Sequence, residues 1–398
     1  MKDLKHLSYF ENLLRDAGNE LVMKAVEDGR HALGYTCYFI PEVLLNLPGC
    51  FSVRLRAPGT ESTDIATYYM TNKTCPFSRS VLERGVEGGY SFLSALISGE
   101  TCQMMHRSHE HFEMLDLVKN KPGFFLSMMD VPFDTDEASV EHYKGQLEKF
   151  ILKPLHDVYA VDVSENALKT AIEEHNEICR IITEIGSFRK LDNPPVTGYE
   201  FHVISLVSQC CPQYLIIDKL KETLDEIKRR KTDPVPSWRA RIVLAGSEND
   251  DPEFTKLLES CGAYVAADRY CYGSLPGREE IEIREGESAL GAVARHYLLS
   301  CQCARFMNRS HGDGRREYIR SLVEQYRADG VIYMQMKFCE FWSYERIMGV
   351  DVLNNEMGIP AIGIEKEYSL STAGQLRTRF QAFIESLEIK KIQEGGAV

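Results

Sequence analysis

Apolar residues recur near the helical period from Leu4 through Leu7, Phe10, Leu13, Leu14, Leu21 and Val22 to Ala25, and Gly29 stops the run. This pattern predicts helix over residues 3–30. The pattern then changes. Short apolar runs ended by proline, ALGYTCYFIP (32–41) and CFSVRLRAP (50–58), predict strands, and ALISGETC (95–102) and GFFLSMMDVP (123–132) predict two more, with helical material between them. From Asp134 to about Arg230 the chain is helical and charge-rich, as in SENALKTAIEEHNEICRIITEI, and the two prolines of KTDPVPSW (231–238) mark a linker. A second alternating unit follows, with strands predicted at RIVLAGS (241–247), AYVAAD (263–268), GVIYMQMKFC (330–339) and IPAIGIEKE (359–367), closed by the helix TAGQLRTRFQAFIESLEI.

Strands alternating with helices imply parallel sheets covered on both faces. The predicted fold is α/β: two flavodoxin/Rossmann-like parallel-sheet domains joined by a helical segment. The expected divisions are an N-terminal helical segment at 1–30, a first α/β domain at 31–133, the helical segment at 134–236 and a second α/β domain at 237–398. The two α/β units also resemble each other. In each, a strand runs into a cysteine, a helix follows, a Pro/Gly break intervenes and a strand ends on an acid; Cys102 to Asp130 is 28 residues and Cys339 to Glu365 is 26. Ordinary βαβ geometry would also give such agreement.

The composition, 44% hydrophobic and 26% charged, is that of an ordinary globular protein. The net charge of −13 argues against a nucleic-acid partner, because neutralising phosphates requires basic patches. Charges throughout MKDLKHLSYFENLLRD leave no apolar core for a secretory signal, so a cytoplasmic protein is expected. No apolar window approaches the ~18 residues needed to span a bilayer, so no membrane role is expected.

Twelve cysteines is a high count for such a chain. In a reducing compartment they point to metal ligands, redox chemistry or plain buried thiols. Position separates these roles. Parallel sheets bind ligands beyond the carboxyl ends of their strands, and Cys102 and Cys339 both fall there. Cys75, in TCPFSRS, precedes a proline that excludes helical backbone at the cysteine, so it lies at a helix approach where amides and the dipole favour a thiolate. Cys75, Cys102 and Cys339 thus form a candidate three-thiolate nest. Cys37 in the first strand, Cys271 after another strand end, and the close pair Cys301 and Cys303 are weaker candidates. The C-x2-C pairs of structural zinc sites are absent. Cys50, Cys179, Cys210, Cys211 and Cys261 stand in apolar or helical contexts that suit buried thiols.

Taken together, GYTCYFIPE, TCPFSRS, GETC, ADRYCYGS, GVIYMQMKFCE, GIPAIGIE and GQLRTRFQAFIE resemble the 2-hydroxyacyl-CoA dehydratase superfamily over about residues 33–388. This superfamily includes the dehydratase subunits, ATP-dependent benzoyl-CoA reductase and the double-cubane cluster proteins. The resemblance implies a [4Fe–4S] cluster in the cleft between the domains, held by the cysteines matching Cys75, Cys102 and Cys339. It also implies single electrons from a separate ATP-dependent iron–sulfur activator protein, and a ketyl-type one-electron activation of an acyl-CoA. The chain carries neither G-x-x-x-x-G-K-[ST] nor G-x-G-x-x-G, as expected if ATP is handled elsewhere. A homodimer or a heterodimer with a homologous subunit is expected. Two alternatives stay open: a homodimeric reductase of small molecules built on an [8Fe–9S] double-cubane cluster, and a non-catalytic cluster-bearing partner subunit. The additional Cys37, Cys271, Cys301 and Cys303 resemble the double-cubane branch. Gln103 and Glu340 replace the Asp that commonly follows the second and third cysteines, Val43 replaces a second acid after Glu42, and residues 85–99 lack a cysteine usual in that branch.

Three other features are candidates for lesser roles. In HRSHEH (106–111), His106 and His109 share a helix face, and a solvated helix start is expected, with His106 a possible proton donor. Arg377 and Arg379 are candidates for surface pairing or for an anion, and Gly246 and Ser247 for close approach to a ligand. No residue identifies itself as the catalytic acid or base.

Overall fold

The computed structural model describes residues 2–233, 237–272, 278–370 and 373–395. Eight strands form two four-stranded sheets, and every pairing is parallel. The first sheet contains β1 (His31–Tyr35), β2 (Cys50–Arg54), β3 (Ala95–Gly99) and β4 (Phe125–Met129), in the spatial order β2-β1-β3-β4. The second contains β5 (Ala240–Gly246), β6 (Ala263–Arg269), β7 (Gly330–Met336) and β8 (Ala361–Lys366), in the order β6-β5-β7-β8. The sheets therefore share one topology. Cys102 and Cys339 follow equivalent strands, β3 and β7, as the internal resemblance of the sequence suggested.

The strands are apolar because both faces are covered. All seven residues of β7 are buried, and each of Val331, Ile332 and Met334 gains roughly 1.5–3 kcal/mol by leaving water. Register runs from His31↔Cys50 to Tyr35↔Arg54 in β1–β2 and from Ile242↔Gly330 to Gly246↔Met334 in β5–β7. These registers align the strand ends, so the following loops leave along one edge of each sheet.

The N-terminal helix divides in two, Leu7–Leu13 and Glu20–Glu27. The break falls where Asp16 accepts from the Gly18 N–H and where the Asn19 side chain caps Leu21 and Val22. These short-range bonds compete with a continuous helix, and apolar spacing alone does not register them. Between the sheets, the helices Glu165–Ser187, Gly198–Cys210 and Gln213–Arg229 form a helical layer. Gly198–Cys210 is almost entirely buried, including its polar Glu200, His202, Ser205, Ser208 and Gln209. The centre of the expected linker, residues 234–236, lies outside the described residues. Among the described residues no helix is long and apolar enough to cross a membrane.

Polar groups join the two domains directly. Arg56, just past β2, donates to the Asp250 carbonyl at 3.0 Å and to the Leu14 carbonyl at 2.7 Å. The Tyr368 hydroxyl donates to Asp250 at 2.6 Å and accepts from the Ala57 amide at 3.0 Å. These bonds bring the carboxyl edges of the two sheets together.

Candidate functional site

Seven cysteines from both domains line a single cavity between the sheets: Cys37, Cys75, Cys102, Cys271, Cys301, Cys303 and Cys339. Cys37, expected inside the first strand, lies two residues beyond the end of β1 and faces this space. Cys102 and Cys339 each follow a strand by three residues and cap the helices Gln103–Phe112 and Glu340–Asn355. Cys75 caps Pro76–Val86, with proline at the first helical position, where its missing N–H leaves no carbonyl unpaired. Three sulfurs are thereby delivered by three helix N-termini.

The helix starts also set the electrostatics. No capping hydrogen bond is formed to these three sulfurs. Burial pushes the Cys75 thiol up to about 12, with Cys102 adding to the rise, while the Ser78 and Phe77 amides favour its thiolate. Burial likewise raises Cys102, against the Met105 and Met104 amides. Cys339 is raised well above the ordinary range by burial and by the neighbouring Cys75, Cys102 and Cys271. Burial thus favours the neutral thiol at these three cysteines, and a nearby cation favours the thiolate.

Three of the other four thiols have their own supports. Thr101 Oγ1 donates to Cys37 Sγ at 3.3 Å, Trp342 Nε1 to Cys271 Sγ at 3.1 Å, and the Cys303 amide to Cys301 Sγ at 3.3 Å. Burial raises Cys37, and Cys303 and Cys102 lie near enough to interact with it electrostatically. Two residues beside ligand candidates hold left-handed backbone without being glycine: Phe338 at φ 59° and Gln302 at φ 47°. Each costs of order 1–3 kcal/mol and turns the chain so that the next residue, Cys339 or Cys303, meets the cavity.

Apolar side chains make up much of the remaining wall: Phe39, Phe77, Met104, Met105, Met336, Phe341 and Trp342. The space for centres of water-sized molecules is about 120 Å³, roughly ten times what one water needs. Among the described residues, no three His, Cys, Asp or Glu groups gather closely enough to hold a single metal ion. The seven thiols are instead spread around the cavity wall.

Three charged residues in this wall went unremarked in the sequence. Arg54 ends β2 and is buried; it donates to the Thr36 carbonyl at 3.3 Å, to Gln209 at 2.8 Å and to the Cys271 carbonyl, so one guanidinium ties a first-domain loop to a second-domain loop. Its carbon sits 3.9 Å from the Tyr272 ring centroid. Arg269 ends β6 and donates to the Cys301 and Gln302 carbonyls. Glu248 follows β5; burial pushes its carboxyl up to about 8, against the pull of Arg54. The signal available in the sequence was a charge at or just past the end of an apolar strand.

Other expectations are corrected. His109 is buried rather than solvated, hydrogen-bonded to Ser98 and to Thr36, so it supports the ends of β1 and β3. His106 pairs with Glu110 at 3.2 Å, and the three histidines do not converge. Gly246 approaches backbone, not ligand: a Cβ there would stand 1.8 Å from the Met334 carbonyl oxygen. Arg379 donates to the Gly363 carbonyl at 2.6 Å on the surface, and neither it nor Arg377 lines the cavity. As expected, Cys50, Cys179, Cys210, Cys211 and Cys261 are buried thiols, and none of them lines the cavity.

Residues 37–387 match the family described as 2-hydroxyglutaryl-CoA dehydratase, D-component. Similar proteins include a putative dehydratase subunit, YjiM, of Escherichia coli strain K12, at 25% identity over 94% of this chain and 96% of its own length. The (R)-phenyllactyl-CoA dehydratase beta subunit of Clostridium sporogenes is 22% identical over 96% of this chain and 99% of its own. The lactoyl-CoA dehydratase subunit beta of Anaerotignum propionicum is 22% identical over 91% and 93%. With parallel-sheet domains meeting at a cysteine-lined cavity and a family match across most of its length, this chain belongs to the 2-hydroxyglutaryl-CoA dehydratase D-component family, within the 2-hydroxyacyl-CoA dehydratase superfamily.

Proposed function

We propose that this chain is an iron–sulfur subunit of the 2-hydroxyacyl-CoA dehydratase type, in which Cys75, Cys102 and Cys339 hold a [4Fe–4S] cluster for one-electron activation of an acyl-CoA. The observation that carries the proposal is the delivery of these three thiols, from both domains, to one apolar cavity at helix N-termini. The residues fit such a group in three respects. The donors are thiolate formers, helix-start amides favour negative sulfur, and the space suits a polyatomic guest. When bound, the cluster supplies low-potential single electrons and a Lewis-acidic iron. The protein excludes water with Met and aromatic side chains and holds the two domains at fixed separation through Arg54 and Arg56. The family resemblance implies that its electrons come from a separate ATP-dependent activator. The relatives named as beta subunits support a homologous partner chain.

A second reading rests on a separate observation. Cys37, Cys271, Cys301 and Cys303 line the same cavity as the first three, and seven thiols exceed what one cubane uses. This favours the double-cubane [8Fe–9S] reductase. Iron and sulfide counts on anaerobically purified protein decide between them: about four irons per chain supports the first reading and about eight the second. Essentially no iron after reconstitution removes both.

A further inference from the structure

Two side chains of the cavity wall carry hydrogen-bonding atoms that nothing among the described residues satisfies. Glu248 is 8% exposed and its Oε1 has no partner; Arg269 is 2% exposed and its Nε and Nη1 have none. Both line the cavity. A buried polar atom without a partner costs free energy, so it persists where a ligand completes it. The neighbours are committed elsewhere. Arg54 has each of its three nitrogens in a hydrogen bond, to Thr36, Gln209 and Cys271. The other side of the Arg269 fork bonds the Cys301 and Gln302 carbonyls, and its carbon lies 4.8 Å from the Trp342 ring centroid, which fixes its plane.

The backbone brings the loops that carry these two groups together. Ala245 pairs with Arg269 in the β5–β6 register, and the Cys271 amide donates to the Ser247 carbonyl at 3.2 Å, so the loops carrying Glu248 and Arg269 run together. Arg269 offers donors only, which suits a carbonyl oxygen, whereas a carboxyl group bonds a hydroxyl. A donor and a carboxyl group on neighbouring loops of one cavity match the carbonyl and hydroxyl groups of one acyl chain.

We propose that Arg269 and Glu248 are the binding residues for the acyl end of the substrate, Arg269 donating to the thioester carbonyl and Glu248 bonding the 2-hydroxyl. This rests on the acyl-CoA reading above and adds to it the groups that distinguish a 2-hydroxyacyl thioester from an unsubstituted one.

The test is calorimetric titration of anaerobically purified, cluster-loaded protein without activator, so that no turnover occurs, using 2-hydroxypropionyl-CoA and propionyl-CoA. The wild type is expected to prefer the hydroxylated thioester by roughly tenfold or more, the worth of one buried hydrogen bond. Glu248→Ala should abolish that preference with iron content and visible spectrum unchanged. Arg269→Met should weaken both thioesters by a similar factor and leave the preference in place. A preference that survives Glu248→Ala overturns the assignment alone, as does loss of iron in that variant, which would place Glu248 on the cluster. A wild type that keeps its iron yet binds neither thioester overturns the acyl-CoA reading, and the assignment with it.

Discussion

Gly246→Ala adds one methyl group at the point where the two central strands of the second domain lie closest. The new Cβ would stand 1.8 Å from the Met334 carbonyl oxygen, against a tolerated approach of 3.0 Å, and this obstacle is backbone that cannot rotate away. β5 and β7 must therefore part by more than about 1 Å at their carboxyl ends. That movement breaks the Ser247 N–H bond to Met334 O (3.0 Å) and displaces the Ser247 hydroxyl from the Met336 amide (2.6 Å). Both bonds are buried, and each costs about 1–3 kcal/mol when left unmade; with strain the loss is roughly 3–6 kcal/mol. This is a large part of the ~5–15 kcal/mol that stabilises a domain. Urea unfolding followed by tryptophan fluorescence reads the affected region, since both tryptophans, Trp238 and Trp342, lie in the second domain. Gly145, exposed on the helix Glu137–Leu147 with nothing within 4 Å of a Cβ, is the control; Gly145→Ala should gain about 0.5–1 kcal/mol. A Gly246→Ala protein within 1 kcal/mol of wild type at an unchanged urea slope would refute the argument.

Arg54→Met removes three buried hydrogen bonds and leaves the Thr36 and Cys271 carbonyls unpaired, so thermal unfolding should register a loss of roughly 3–5 kcal/mol. Arg54→Lys should recover little of it, because an ammonium lacks the planar fork. Burial holds His202 at about 3, with its ring nitrogens bonded to Thr255 and the Asn249 carbonyl, each at 2.9 Å. The folded state keeps this imidazole neutral while the unfolded chain protonates near pH 6.5, so its contribution is complete above that pH and is lost as the pH falls towards 3. Between pH 7.5 and 5 the wild type should lose about 2 kcal/mol more than His202→Gln; parallel stability profiles would contradict this. Substituting Ala for Cys75, Cys102 or Cys339 should abolish the visible absorption of the anaerobic protein, whereas Cys50→Ala should leave it intact. An unchanged spectrum in Cys339→Ala would remove that residue from the ligand set.

Much of the fold was legible because each strand is a short apolar run bounded by Gly, Pro or a charge, and because helices between strands leave only parallel sheets with covered faces. The strand-end rule likewise brought out Cys102 and Cys339, as their runs stop at polar residues just before a helix. It was blind to Cys37, since TCYFI continues the apolar pattern past the point where the sheet ends. It also missed the Asn19 break and the burial of His109, both set by hydrogen bonds that hydrophobic periodicity does not encode.

The sequence by itself determined which segments become strands, which cysteines follow them, and that the chain joins two similar α/β units of this superfamily. These are local matters of period, turn chemistry and motif order. Only the tertiary structure decided that seven thiols far apart in sequence share one cavity, that Arg54 and Arg56 fasten the domains across it, and that Glu248 and Arg269 stand unsatisfied within it. Such relations depend on how two sheet edges meet, and no segment carries that information alone. The same packing gives the cysteines their chemistry, because burial and helix-start amides act on a sulfur only once the domains have closed around it.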